Sequence, residues 1–164
     1  MTTRALILCL VAGSATAAAG CGKTERSGAV GEKLSAKGLE VTVEKVDTAV
    51  PVPERDVTGL SQPALGYALV GTRVRVCSNH AGATGPYDFG IETSGGGQGR
   101  LKFPETNYAD SFDSLRDGCG GGWVVFEIPT ASAPKRVTFG FDDTGSARRP
   151  QNRVSARFSW TVGH

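Results

Sequence analysis

The chain has 164 residues, with 18 Lys+Arg against 16 Asp+Glu, a hydrophobic share of 39% and 23 glycines. A net charge of +2 carries no electrostatic case for nucleic acid or an anionic membrane surface, and nucleic acid is excluded as an expected partner. The length suits one domain with a real core, and so many glycines favour turn-rich β structure, since Gly costs about 1 kcal/mol per helical position relative to Ala.

Residues 1–19 read as a signal peptide in three parts. Arg4 and the amino terminus supply positive charge, residues 5–12 (ALILCLVA) are apolar, and a run of small residues follows. The apolar block is about half of the roughly 20 residues that a membrane-spanning helix needs, and no later segment approaches that length. Ala18-Ala19-Gly20-Cys21 resembles the cleavage and lipidation box of a bacterial lipoprotein, with Ala18 where Leu is usual. An ordinary cut after Ala17-Ala18-Ala19, followed by free secretion, competes with it.

The cysteines discriminate between these outcomes. Cys9 leaves with the signal, so the mature chain holds Cys21, Cys77 and Cys119. Free secretion would leave an odd thiol in an oxidising compartment, whereas acylation uses Cys21 and leaves an even pair. The sequence therefore predicts a lipoprotein signal at 1–20 and a membrane anchor (diacylglyceryl and palmitate) on Cys21, placing the protein on the extracytoplasmic face of the cell membrane. Burial of acyl CH2 groups at about 0.8 kcal/mol each makes two chains sufficient for stable attachment. Gly22-Lys23-Thr24 is not a phosphate loop, because the required first Gly falls on Ala17 and no strand precedes it.

Residues 21–38 are polar, contain Gly and Ser, and lack aromatics, so they read as a flexible tether; a short helix near Val30 is the alternative. The folded domain is expected at 39–164. Leu39 to Val46 alternates apolar with polar residues. In Tyr67 to Cys77, Val70, Thr72, Val74 and Val76 share one face, opposite Arg73 and Arg75. Two runs, 87–93 and 100–103, flank the glycine-rich 95–99 loop. Trp123 to Ile128 forms another strand, ended by Pro129. Arg136 to Phe141 and Val154 to Trp160 complete the set, again with apolar residues at alternate positions. About seven punctuated strands without a long amphipathic helix predict an all-β antiparallel sandwich.

In an exported domain of this size, Cys77 and Cys119 are expected to form a disulfide. A redox role is not expected, because there is no C-x-x-C pair. Val74-Arg75-Val76-Cys77-Ser78-Asn79 resembles the Val-x-Val-x-Asn strand of a family of immunoglobulin-like domains of unknown function on Gram-positive surface lipoproteins. That family is related to secreted immunogenic antigens with a telokin-like sandwich. Residues 118–129 (GCGGGWVVFEIP) are similar to its G-x-V-x-F-x-V-P strand, and the resemblance spans about residues 39–161. It implies an immunoglobulin-like fold and a surface location, and brings no catalytic residues with it.

Candidate chemistry is sparse. His80 is the sole internal histidine, and no G-x-S-x-G or Ser/His/Asp order is present, so no enzyme activity and no cofactor are expected. Asp110, Asp113 and Asp117, with Asn107 and Glu105 nearby, lack the spacing of a calcium loop, and no metal site is expected. Twelve of the basic residues are arginine. Arg73, Arg75, Arg153 and Arg157, with Arg148 and Arg149, form one candidate binding face if their strands are neighbours. Such a face would suit a wall polyanion, and a merely solvated sheet face is the alternative; the expected partners beyond the membrane are an envelope protein or a cell-wall polymer. The expected function is thus binding or adhesion by a membrane-tethered domain. The alternatives are an accessory subunit of an envelope complex and a freely secreted antigen.

Overall fold

The computed structural model describes residues 24–48, 50, 62–79, 84–102, 110–143 and 154–163. The signal segment and Cys21 lie outside the described residues. Within them the chain runs through β1 (Thr24–Ala29), β2 (Lys33–Ala36), β3 (Leu39–Asp47) and β4 (Tyr67–Ser78). A one-turn 3-10 helix (Pro86–Asp88) leads into β5 (Phe89–Thr93) and β6 (Arg100–Lys102), followed by β7 (Gly118–Pro129), β8 (Pro134–Asp143) and β9 (Val154–Thr161). Two sheets result, in the orders β1-β9-β8-β5 and β2-β3-β4-β7-β6. They form the expected β-sandwich.

Period-2 alternation builds the core between the sheets. Val41 and Val43 of β3, Val70, Val74 and Val76 of β4, and Val124, Phe126 and Ile128 of β7 face inward from one sheet. Ile91, Val137, Phe139, Phe141, Phe158 and Trp160 face them from the other. Ring contacts run across the second sheet, from Phe89 to Phe139 at 4.9 Å, Phe139 to Phe158 at 5.9 Å and Phe158 to Trp160 at 6.1 Å. Thr72 also lies inside, and its Oγ1 finds no hydrogen-bond partner among the described residues.

The polar segment expected to be a tether is folded from Thr24 onward. β1 pairs with β9 in parallel from Thr24↔Ala156 to Ala29↔Thr161, and β2 pairs antiparallel with β3. No helix forms near Val30. The departure has two physical causes. Leu34 and Ala36 point into the core, and the buried Trp160 ring must satisfy its Nε1–H, which donates to the Glu32 carbonyl at 2.8 Å. β1 itself (TERSGA) has no large apolar side chain. It is an edge strand held by backbone ladder bonds, so its sequence carries no hydrophobic period. This parallel pair also departs from the all-antiparallel expectation.

A second departure concerns the glycines before Trp123. β7 begins at Gly118 and matches β4 over twelve residues, from Ser78↔Gly118 to Tyr67↔Pro129. The run extends the strand because another backbone passes close beside it. Trp123 N–H donates to the Asp110 carbonyl at 2.7 Å, and Phe112 N–H donates to the Trp123 carbonyl at 2.9 Å. A Cβ on Gly122 would sit 2.4 Å from the Asp110 oxygen, so only glycine fits.

The outer face of the β2-β3-β4-β7-β6 sheet is partly covered. Leu69 and Val125 form a small apolar cluster with Val50 and Trp123. Beside it Glu127, only 3% exposed, accepts from Lys102 Nζ at 2.9 Å and from the Ala64 N–H at 3.0 Å. Lys102 also donates to the Gln62 carbonyl at 2.8 Å, so this buried charge fastens the segment entering β4 onto the sheet.

Candidate functional site

Cys77 and Cys119 stand directly opposite each other on β4 and β7, with Cα atoms 4.0 Å apart, and they are bonded. Their register brings the sulfurs together on the outer face of that sheet. The same face carries Arg73 and Arg75, which alternate with the buried valines of β4. Arg73 Nε lies 3.3 Å from Glu44 Oε2, and its guanidinium lies 5.8 Å from the centre of the Trp123 ring. Arg75 is exposed and has no partner among the described residues. These groups edge a cleft of about 310 Å3 floored by Gly120, Gly121 and Gly122.

Arg157 is elsewhere. It points outward from β9, in the other sheet, so the sandwich core separates it from Arg73 and Arg75. The single arginine face expected from alternation does not form. Parity along one strand gives the side of a sheet, and it leaves open which sheet the strand joins. Arg153, Arg148 and Arg149, together with His80 and Glu105, lie outside the described residues.

The outer face of the β1-β9-β8-β5 sheet has the larger cleft, about 580 Å3. Ser27, Thr138 and Ser159 line it together with Glu92, Arg136 and Arg157. Arg157 is fixed from several directions: Nη1 donates to the Phe141 and Ala156 carbonyls at 3.2 and 3.1 Å, while Nη2 pairs with Asp142. Ser155 donates to the other oxygen of Asp142 at 2.7 Å. Glycine at position 140 leaves room for the guanidinium to lie flat, since a Cβ there would come within 3.3 Å of Arg157 Nη1. Arg136 Nη1 pairs with Glu92 Oε2 at 3.3 Å.

An adjoining cleft of about 350 Å3 shares Arg157 and Thr138 and extends to Tyr87 and Asp88. Burial pushes the Asp88 carboxyl above its ordinary range, against the Gly85 N–H at 2.8 Å and the positive charge of Arg157; nearby Asp142 adds to the rise. At Glu127 the balance is reversed. Burial again raises the pKa, but Lys102, the Ala64 N–H and Arg100 together hold it below the usual glutamate range.

Among the described residues no three His, Cys, Asp or Glu side chains converge as a metal site. Asp110 serves as a turn residue with φ 59°, and Asp113 accepts from the Ser114 N–H at 2.6 Å. The cleft residues Asp88, Glu92, Arg136 and Asp142 did not emerge from the sequence. Outward parity in β8 marks Arg136, Thr138, Gly140 and Asp142 as one row, yet only strand pairing brings Arg157 and Glu92 beside it.

Neither a protein-family model nor a curated protein matches the chain. Solved structures do. The Bacillus subtilis protein ycdA, described as a lipoprotein, superposes with a TM-score of 0.51 at 12% identity, over 79% of this chain and 38% of its own. This chain thus spans well under half of that protein. The secreted protein MPT63 of Mycobacterium tuberculosis gives 0.50 at 16% identity, over 82% of this chain and 95% of its own. The yjhA protein of Bacillus subtilis gives 0.52 at 15%, over 82% and 99%. At these identities the likeness is one of fold, and the chain shares the β-sandwich of lipoprotein and secreted neighbours.

Proposed function

We propose that this chain is a lipid-anchored, extracytoplasmic, immunoglobulin-like binding module, acting without catalysis through the outer face of its β1-β9-β8-β5 sheet. The observation that carries the binding role is the cleft built around Arg157. Its guanidinium is held by two carbonyls and a carboxylate before any ligand arrives, which lowers the ordering cost of recognition. Charges there balance: Arg157 is matched by Asp142 and Arg136 by Glu92, and Glu25 and Arg26 both line the cleft. Balanced charge with serine and threonine hydroxyls suits a neutral, hydroxyl-rich ligand such as a saccharide better than a polyanion.

The location rests on the Ala18-Ala19-Gly20-Cys21 box and on the Cys77–Cys119 bond, which belongs to an oxidising compartment. Two measurements test the reading. In cells, Cys21→Ala should leave the detergent phase for the aqueous phase; continued partitioning into detergent refutes the anchor. In solution, the exported Cys21→Ala chain should retain on neutral glycan strands, and a further Arg157→Ala change should abolish retention. Retention on acidic wall polymers alone, or on an envelope protein alone, overturns the saccharide reading.

A further inference from the structure

We infer that the ligand of the β1-β9-β8-β5 face is a linear neutral glycan, bound over about three consecutive sugar rings and lying across the strands, not along them. This rests on the saccharide reading above and adds the ligand's length and direction to it. Strand register carries it. Ser27 on β1 pairs with Ser159 on β9, Ser159 with Thr138 on β8, and Thr138 with Gly90 on β5, so the four form one lateral row from edge to edge of the sheet. The row faces outward, because its chain neighbours Phe158, Phe139 and Ile91 point into the core. On β1, a Cβ at Gly28 would meet Leu34 on the inner side, which leaves Ser27 on the outer one.

Along this row a hydroxyl recurs once per strand on β1, β9 and β8, at a spacing of about 4.8 Å, close to the length of one pyranose ring. A hydroxyl both donates and accepts, so each suits whichever group a sugar presents. β9 and β8 have neighbours on both sides, so their backbone groups are used in the ladders and side chains are what they offer a ligand. An extended peptide laid on the row finds no free ladder to join. The charges stand in the rows to either side. Arg157 lies two residues from Ser159 on one side, and the Arg136–Glu92 pair lies two residues from Thr138 and Gly90 on the other. Both guanidinium groups already meet a carboxylate, so a neutral chain passing between them strands no charge.

Glycine keeps the β5 end of the row open. A Cβ on Gly90 would come 2.8 Å from Thr138 Oγ1 and crowd that hydroxyl. The cleft of about 580 Å3 that includes Ser27, Ser159 and Thr138 shares Thr138 with the one of about 350 Å3 that includes Gly90, so the two are continuous past it. From β1 to β5 the row covers three strand spacings, about 14 Å, which is room for about three rings. Tyr87, 65% exposed, lines the cleft at the Gly90 end and adds ring surface there.

The test titrates the exported Cys21→Ala chain, by calorimetry, with oligomers of one to six rings cut from the same neutral glycan strands. Affinity should climb with each added ring, level off at three or four, and exceed that of the single ring by about a hundredfold. Thr138→Val keeps the side chain's shape and removes its hydroxyl, and should weaken the three-ring oligomer about tenfold. Gly90→Val should bring the plateau one ring earlier. Ser27→Ala, on the exposed β1 edge, should weaken three rings and leave one ring unchanged, and it serves if Gly90→Val loses its fold by urea midpoint. Thr161→Val, further along β9, should change nothing. Equal affinity for every length, a climb that continues to six rings, or a loss in Thr161→Val with none in Ser27→Ala overturns the crossing while whole strands still bind. If neither oligomers nor whole strands bind, the saccharide reading itself falls, so the two failures are told apart.

Discussion

Glu127 and Asp88 are both carboxylates out of bulk water, and their surroundings drive them in opposite directions. Glu127 meets Lys102 at 2.9 Å and the Ala64 N–H at 3.0 Å, and these interactions outweigh its burial. Its depressed folded pKa means the stability it contributes is present above the ordinary glutamate value, about 4.3. That stability is lost as pH falls through the lower folded value. Glu127→Gln keeps an acceptor for Ala64 but removes the counter-charge of Lys102, which retains only the Gln62 carbonyl. Since Lys102 is 22% exposed and can turn partly to water, we expect a loss of roughly 1–3 kcal/mol at neutral pH, read as a lower urea midpoint. The difference from the parent should shrink in acid.

Asp88 behaves in the opposite sense. Its folded pKa is raised, chiefly by burial, so its favourable contribution is complete below the ordinary aspartate value and is lost as pH rises through the folded value. Asp88→Asn keeps an oxygen for the Gly85 N–H at 2.8 Å and removes the half-buried charge. Thermal melts across pH should show the variant gaining on the parent from acid to neutral pH. A parent that gains on the variant over that range would contradict the burial argument.

Among the elements, β7 shows how a strand can be hidden from pattern reading. Trp123 to Ile128 is visible by alternation, but Gly118 to Gly122 offers no side chains whose parity can be read. The reason for those glycines is tertiary: the 110–112 backbone crosses at hydrogen-bond distance. Gly122→Ala would press a methyl against backbone atoms 2.4 and 2.5 Å away, which cannot rotate aside. We expect destabilisation of roughly 1–3 kcal/mol. Gly95→Ala is the control. Its Cβ would meet only Ser132 Oγ at 3.5 Å, so denaturation should show little change or a gain of about 0.4–1 kcal/mol. β1 was missed for a related reason, since an edge strand of small and polar residues is defined by its partner β9 and not by its own pattern.

At the scale of the molecule the Cys77–Cys119 bond joins residues 42 apart in sequence across the central β4–β7 pair. Its effect acts mainly on the unfolded chain. Cys77→Ala with Cys119→Ala should lower unfolding free energy by about 4 kcal/mol, less any relief in the folded state. The parent under reducing conditions should approach the same urea midpoint. A double variant as stable as the oxidised parent would show that the unfolded chain is already confined.

The sequence alone determined the β class, the inward faces of β3, β4, β7, β8 and β9, and the pairing of two cysteines. Each is a local matter: period-2 alternation and cysteine number are written along one strand or in the composition. Only the tertiary structure decided that residues 24–29 and 33–36 are strands of the sandwich, that β1 runs parallel to β9, and that Arg157 stands on the opposite side of the sandwich from Arg73 and Arg75. Those facts depend on which strands become neighbours. Neighbourhood is fixed by long-range demands, such as the Trp160 indole donating to Glu32 128 residues away, which no window along the chain contains.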